Sequence, residues 1–334
     1  MDMRRTDGRM GGKMRYTLYS MLGIGFIVFM FYVHSIPLTF DEQYIYDYAI
    51  KIHDGQLPYK DFNIHYGPMS YIVWGGVLKV FGTDIWNFRL FGIFLWCVWF
   101  LSTSYIVYKN YGLCHSMIWF LCNLLFFQES PIFCIANYLF VMPFVMLLAV
   151  NLNKFVSTGW NGYITKSALI TTAIVLWRYD TAVVLFGVCT LIMLIYRPHD
   201  IVLYWSSMIC LMALYLFALT RYTSIDRLMD SIYMIRHTAS YYHADFWGGF
   251  LPHKPTQILL RFPIWAPIFM VVIGIGHYLM NKDRMCLILT LFILAMYNQV
   301  IFCCEVPHAT PCNILVMFMG IHILKHYIPK GAYR

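Results

Sequence analysis

The chain has 334 residues, of which 60% are hydrophobic and only 12% are charged, and its formal net charge is +8. A soluble domain carries about twice that share of charged residues, so the composition excludes an ordinary soluble protein and indicates many membrane crossings. The basic residues cluster at the ends of apolar runs, as membrane orientation requires, and not along one face that would bind nucleic acid.

Charge-free runs of roughly 20 residues, the length that spans a bilayer, recur along the chain. We predict about ten crossings, so the expected fold class is an all-α, polytopic transmembrane helical bundle. The crossings lie near 16–36, 86–108, 113–127, 131–153, 167–179, 181–196, 201–220, 263–280, 285–304 and 309–325. The pattern is interrupted at Trp177-Arg178-Tyr179-Asp180, where a re-entrant hairpin and two short helices satisfy it equally well.

The distribution of charge predicts the orientation of these crossings. The basic segment 1–15 belongs in the cytoplasm by the positive-inside rule, and ten crossings return the tail 329–334 to the same side. A single transmembrane domain, 16–328, lies between them. Two long loops, at about 37–85 and 221–262, then emerge on the extracytoplasmic side, where most acidic residues also fall. We therefore expect a multi-pass integral protein of a bacterial inner membrane or the endoplasmic reticulum, with any chemistry at its outer face.

The first loop begins with the densest polar sequence of the chain. From Glu42 to His53, apolar and aromatic side chains recur at helical spacing, which predicts a short amphipathic helix on the membrane surface that ends at Gly55. The apolar segment 69–81 is too short to span and is predicted as a juxtamembrane or half-inserted helix. Asp41 sits at the N-terminus of the first helix. A carboxylate there serves as an N-cap, or as a general base at the mouth of a cavity.

A longer motif runs through this loop. Its residues are Asp41-Glu42-x-Tyr44, Ala49, Asp54-Gly55-Gln56-Leu57-Pro58-Tyr59-Lys60-Asp61-Phe62, Tyr66-Gly67-Pro68-Met69-x-Tyr71, Phe81-Gly82 and Arg89-Leu90. This order and spacing resemble the first-loop signature of GT-C glycosyltransferases, in the branch that includes protein O-mannosyltransferases and aminoarabinose transferases. The resemblance covers about fifty consecutive residues and starts where the first predicted crossing ends.

The resemblance implies a GT-C-like fold and an inverting transfer of a hexose or pentose from a polyprenyl- or dolichyl-phosphate donor. Asp41 would be the catalytic base that deprotonates the acceptor hydroxyl, and Glu42 would contact the acceptor or a metal. The implied partners are the lipid-linked donor, an acceptor that is a lipid, a glycan or a protein, and membrane lipid, with no nucleic acid. A divalent metal is left open, and no nucleotide cofactor is expected because the GxxxxGK pattern is absent.

Arg178 stands where the family often keeps a basic residue near the donor phosphate, which a planar guanidinium binds well. Asp180, two residues later, is predicted to belong to the same donor- or acceptor-binding site. An internal pair with Asp180, or an arginine that snorkels to the interface, explains Arg178 equally well. His65 would contact the acceptor, or would serve only as a turn residue before Tyr66-Gly67-Pro68.

Near the C-terminus, Glu305 and His308 resemble an acidic-x-x-His element at the outer end of a late helix in the family. Cys303 replaces the arginine that usually precedes this element. His308 would donate a hydrogen bond to the phosphate or to a sugar hydroxyl, and local backbone hydrogen bonds explain it equally well. The ten cysteines show no CxxC spacing and no paired Cys/His pattern, so neither a disulfide framework nor a zinc site is expected.

Two other classes of function are compatible with the sequence. A transporter or flippase would also use outward-facing acids and a buried arginine, although such proteins commonly carry polar residues near the membrane midplane. A GT-C-like subunit without catalytic activity would keep the fold and lose the chemistry.

Overall fold

The computed structural model describes residues 40–64, 66–126, 137–221, 223–231, 257–297 and 306–327, and the isolated positions 16, 20, 23, 24 and 233. Within these ranges the chain is almost entirely helical, with one 3-10 turn (Pro198–Asp200) and one isolated bridge between Pro58 and Phe62. The predicted all-α class is therefore confirmed.

Eleven α-helices of more than ten residues have their bounds within the described parts of the chain. They are α1 (Phe40–His53), α2 (Pro68–Phe81), α3 (Ile85–Tyr111), α4 (Leu113–Phe126), α5 (Asn137–Thr158), α6 (Gly162–Trp177), α7 (Tyr179–Tyr196), α8 (Ile201–Thr220), α9 (Gln257–Asn281), α10 (Arg284–Met296) and α11 (Val306–Tyr327). Helices α3 to α11 each overlap one predicted crossing. The first predicted crossing, 16–36, lies outside the described residues except at four positions.

Five of the described helical segments are long and apolar enough to cross a membrane, as expected of a membrane protein. They are Ile85–Tyr111, Phe140–Thr158, Tyr179–Tyr196, Pro198–Thr220 and Arg261–Asn281. The total of about ten crossings stays a prediction.

The helices share one main hydrophobic core, to which α3 through α11 all contribute. Its largest fully buried side chains include Trp119, Phe155, Phe292 and Phe318. Two smaller apolar clusters attach α1 and α2 to this bundle, one through α3 and one through Leu219 of α8. Apolar contacts thus hold the polar first loop against the helical bundle.

Local sequence explains the bounds of α1 and α2. Gly55 has a φ of +89°, which glycine adopts without strain, and it follows the end of α1 as predicted. Pro68 occupies the first turn of α2, where its missing N–H costs nothing. Asp41 lies in the first turn of α1, which includes Phe40, so it stands at the N-terminus of this helix as predicted.

The apolar face of α1 packs on α2. Ile45, Ala49 and Ile52 are buried, in agreement with the predicted helical spacing. A Cβ built on Gly75 of α2 would lie 2.4 Å from Cγ2 of Ile52, so the absence of a side chain at Gly75 is what permits this close approach. This face was predicted to lie on the membrane surface, but α2 covers it.

Helices α6 and α7 form a hairpin with Arg178 at its apex. The backbone of Arg178 is extended, with φ −150° and ψ 93°, and it separates α6 from α7 by a single residue. Both arrangements that the sequence left open, a re-entrant hairpin and two short crossing helices, consist of two helices joined at this point, and each stays a prediction. Far from the apex, the guanidinium of Arg197 lies against Gly159, and that of Arg284 lies 5.5 Å from the Tyr196 ring.

The described helices thus have two ends, which we name by one feature each. The first-loop end contains the Arg178 apex, on which the first loop rests. The Asp283 end contains the turn between α9 and α10, where Arg284 donates to the carbonyl oxygen of Val156 at 3.2 Å. Lys282 and Lys325 also lie at this end, over the rings of Tyr278 and Tyr111 respectively.

Candidate functional site at the first-loop end

Glu42 and Arg89 form a buried ion pair between α1 and α3. Nε of Arg89 donates to Oε1 of Glu42 at 2.6 Å, and Nη2 donates to Oε2 at 2.9 Å. The two residues are 6% and 8% exposed. This bidentate geometry is the strongest form of arginine–carboxylate contact. Its effect is to fix the first turns of α1, which carry Asp41, against α3.

This pair changes how Glu42 is interpreted. The resemblance implied that Glu42 contacts an acceptor or a metal, whereas both of its carboxylate oxygens accept hydrogen bonds from Arg89. Arg89 belongs to the resembling motif through Arg89-Leu90, but no local pattern pairs it with a residue 47 positions earlier. The geometry supports a positioning role for Glu42, and contact with an acceptor stays a prediction.

The other predicted site residues of the two loops and the late helix are only partly described. Asp41 has helical backbone in α1, and His308 has helical backbone in α11. The side chains of Asp41 and His308, and all of His65 and Glu305, lie outside the described part of the structure. Their roles stay predictions.

Arg178 is buried, being 5% exposed, and makes two kinds of contact. Its Nε donates to Oδ1 of Asp180 at 3.1 Å and its Nη2 to Oδ2 at 2.5 Å, so the predicted internal pair is present. The guanidinium also lies 4.5 Å from the centroid of the Tyr66 ring, a cation–π contact with the first loop. Arg178 is therefore held in place from both sides.

The backbone of the first loop docks on the same apex. The N–H of Gly67 donates to the carbonyl oxygen of Trp177, the last residue of α6, at 3.0 Å. A Cβ built on Gly67 would lie 2.1 Å from the carbonyl oxygen of Leu176, so only glycine fits against this helix end. The Tyr66-Gly67-Pro68 motif and the Arg178 apex therefore form one structural unit.

A Gly67→Ala substitution is expected to lower the free energy of unfolding by about 1–3 kcal/mol, because the new methyl group meets backbone atoms that cannot rotate away. Thermal unfolding of the detergent-purified protein measures this change. Gly76→Ala is the matched control, since a Cβ at Gly76 of α2 meets nothing within 4 Å. Equal stability of the two variants would contradict the close docking of Gly67.

Four tyrosines connect α1 to the apex. The ring of Tyr44 lies 4.6 Å from that of Tyr48 and 6.5 Å from that of Tyr71. Tyr66, which covers Arg178, borders the same apolar cluster. Burial raises the pKa values of the Tyr44 and Tyr71 hydroxyls above their ordinary range, with the neighbouring tyrosines adding to the effect. Both hydroxyls therefore keep their protons at neutral pH and can donate hydrogen bonds.

The second long loop meets the first at this end. The hydroxyl of Thr223 donates to the carbonyl oxygen of Tyr59 at 2.9 Å, and the hydroxyl of Ser231 donates to Oδ1 of Asn63 at 3.3 Å. The described parts of both predicted loops therefore lie together, as they must if both emerge on one face of the membrane.

The arrangement combines paired charges with neutral hydrogen-bond donors. Each described arginine of the site is balanced by a carboxylate, Arg89 by Glu42 and Arg178 by Asp180. Tyrosine hydroxyls and rings fill the space between α1 and the apex, and aromatic surfaces with donors are suited to the faces and hydroxyls of sugars. The described residues at this end bring together no set of carboxylates and histidines that could hold a metal.

Comparison of this chain with protein-family models, with curated proteins and with solved structures yields no match. The first-loop motif and the geometry of the first-loop end are therefore the features that indicate a function.

Proposed function

We propose that this protein is an integral-membrane glycosyltransferase that transfers a sugar from a polyprenyl- or dolichyl-phosphate donor to an acceptor on the extracytoplasmic side. The observation that carries the proposal is the docking of Tyr66 and Gly67 on the Arg178 apex. It joins the motif that resembles the GT-C first loop to the basic residue expected near the donor phosphate.

Asp41 is the proposed general base, and its neighbour Glu42 positions it through Arg89. In this mechanism the Asp41 carboxylate removes the proton of the acceptor hydroxyl as the acceptor oxygen attacks the anomeric carbon. The bond from that carbon to the phosphate oxygen breaks, and the lipid phosphate leaves with the bonding electrons. Attack from the side opposite the phosphate inverts the configuration of the sugar.

Arg178 is the proposed group that stabilises the negative charge developing on the leaving phosphate. Its pair with Asp180 is compatible with this role, because the pair orients the planar guanidinium and does not remove its charge. The contact with Tyr66 orients the guanidinium at the same time. Asp180 thus becomes a positioning residue and not a direct ligand of the phosphate.

The proposed topology follows from the same assignment. The protein is multi-pass, the first-loop end faces the extracytoplasmic side, and the Asp283 end faces the cytoplasm with both termini. Lys282, Arg284 and Lys325 at the Asp283 end are consistent with the positive-inside rule.

An Arg178→Gln variant tests the proposal. Purified protein in proteoliposomes is supplied with polyprenyl-phosphate mannose and, separately, polyprenyl-phosphate aminoarabinose, and product formation is measured with a total lipid and glycan extract as acceptor. We expect wild-type transfer and a loss of about 10²-fold or more in kcat for Arg178→Gln, as removal of a charge-stabilising donor usually causes.

Two controls make the Arg178 result specific. Arg178→Lys keeps the charge and is expected to recover part of the activity, which a purely structural role would not predict. Arg227→Gln changes an exposed arginine in the second loop and is expected to leave the rate unchanged. Movement of the labelled lipid across the bilayer without product would favour a transporter or flippase. Neither product nor movement with any donor would favour an inactive GT-C-like subunit.

A further inference from the structure

A cluster of potential metal ligands lies at the Asp283 end, on the opposite side of the helices from the proposed catalytic site. Nε2 of His322 and Nε2 of His326 lie 2.7 Å and 3.0 Å from the same oxygen, Oδ2 of Asp283. On the other side of Asp283, Nδ1 of His277 lies 3.4 Å from Sγ of Cys286. The cluster therefore consists of two trios that share Asp283, and in each trio the ligand atoms lie within 4.8 Å of one another.

The trio of Asp283, His322 and His326 has the geometry of a prepared metal site. His322 and His326 are four residues apart on α11, the helical spacing that places two histidines on one face toward a common ion. Tetrahedral zinc ligands lie roughly 3.3–3.8 Å from one another, so these side chains would need to separate by only about half an ångström to admit an ion.

Hydrogen bonds from neighbouring groups orient the side chains of this trio, as they do in metal sites generally. The hydroxyl of Tyr111, the last residue of α3, lies 3.0 Å from Nδ1 of His322 and leaves Nε2 of that ring to face Asp283. The backbone N–H of Met285 donates to Oδ1 of Asp283 at 3.0 Å, so Oδ2 is the oxygen that faces the histidines.

The chemistry of the three ligands suits a transition-metal cation. A carboxylate with two imidazoles is a ligand set that favours Zn²⁺ and its neighbours in the transition series over Mg²⁺ or Ca²⁺, which prefer oxygen ligands.

The second trio is a poorer site. Cys286 is fully buried and His277 is 4% exposed, so an ion would have to be stripped of water to reach them. A buried thiol in apolar surroundings also resists the deprotonation that metal binding requires. His326, in contrast, has a side chain that is 47% exposed, which gives an ion access to the first trio and leaves room for a water molecule as fourth ligand.

We propose that Asp283, His322 and His326 bind one divalent transition-metal ion of the Zn²⁺ class at the Asp283 end. The ion joins α11 to the turn between α9 and α10, and through Tyr111 the site also reaches α3. It is separate from the proposed glycosyltransferase chemistry, and it holds or fails independently of that function. The cysteine pattern predicted no zinc site, whereas the His322-x-x-x-His326 spacing is a sequence signal that indicates one.

The test uses the full chain, purified in detergent through an affinity tag without histidines and washed with chelator. Zn²⁺ is then titrated into the protein in competition with a chromophoric chelator, and bound zinc is counted by mass spectrometry. We expect about one Zn²⁺ per chain in the wild type, and a loss of affinity of at least about tenfold in His322→Ala and in His326→Ala. Co²⁺ in place of Zn²⁺ should show no sulfur-to-metal charge-transfer band.

Two further variants and a second measurement distinguish the loss of a metal ligand from a loss of folding as the cause of weaker zinc binding. His199→Ala alters an exposed histidine in the Pro198–Asp200 turn, and Cys286→Ser alters the other trio; both are expected to keep the wild-type affinity. Zn²⁺ should raise the unfolding temperature of the wild type and leave that of His326→Ala unchanged. Absence of saturable binding, unchanged binding in a His322→Ala/His326→Ala double variant, or loss of binding in Cys286→Ser would each overturn the proposal.

Discussion

An Asp41→Asn variant is expected to lose sugar transfer by about 10²–10⁴-fold, the contribution usual for a general base. The amide has nearly the shape of the carboxylate but cannot take the proton of the acceptor hydroxyl, so the chemical step slows while the fold is kept. Initial rates in proteoliposomes with the polyprenyl-phosphate donor that the wild type uses measure the effect. The loss should appear in kcat, with the KM for the donor little changed.

The matched control is Asp47→Asn, which makes the same change on the same helix at an exposed position. Its rate should lie within about twofold of the wild type, since surface substitutions rarely perturb a site. Size-exclusion profiles and unfolding temperatures of the two variants should coincide with the wild type. Wild-type turnover by Asp41→Asn would remove Asp41 from the mechanism.

The second large effect is expected at the Glu42–Arg89 pair. Glu42→Gln leaves the Arg89 guanidinium buried without its counter-charge, and loss of one partner of such a pair lowers the free energy of unfolding by about 3–5 kcal/mol. Arg89→Gln should have a similar cost because it leaves the carboxylate uncompensated. Equilibrium unfolding in mixed micelles measures both.

A double variant distinguishes the pair from its separate residues. Glu42→Leu with Arg89→Met removes both charges and fills the same space with apolar atoms, so it should be more stable than either single variant. Arg227→Gln, at an exposed arginine, is the control and should change stability by less than about 0.5 kcal/mol. If the single and double variants lost stability additively, the two residues would not be coupled.

Hydropathy and turn chemistry predicted the helices well, because both are properties of neighbouring residues. Charge-free runs overlap α3 to α11, although some helix ends differ from the predicted ends by five to eight residues, and Gly55 and Pro68 correctly marked the end of α1 and the start of α2. Helix α1 begins at Phe40, two residues before the predicted Glu42, because Asp is equally suited to the position in front of a helix and to its first turn.

Contacts between residues that are far apart in the chain could not be predicted from the sequence. Nothing local distinguishes the Arg89 that binds Glu42 from an arginine at a helix end, or shows that Gly67 rests on Trp177. Arg178 illustrates the limit, because its two interpretations differed only in which atoms lie near its guanidinium. The structure shows the pair with Asp180, whereas binding of a phosphate by Arg178 stays a prediction.

The contacts of the first loop also constrain the order in which the chain can assemble during synthesis. Glu42 meets Arg89 after 47 residues, whereas the bond from Thr223 to Tyr59 closes a separation of 164 residues. The α1–α3 unit can therefore form while most of the protein is still to be translated, but its contact with Thr223 cannot form until α8 has left the ribosome. During this interval the polar first loop lacks its contacts with the later helices, and a chaperone or a protease would have access to it.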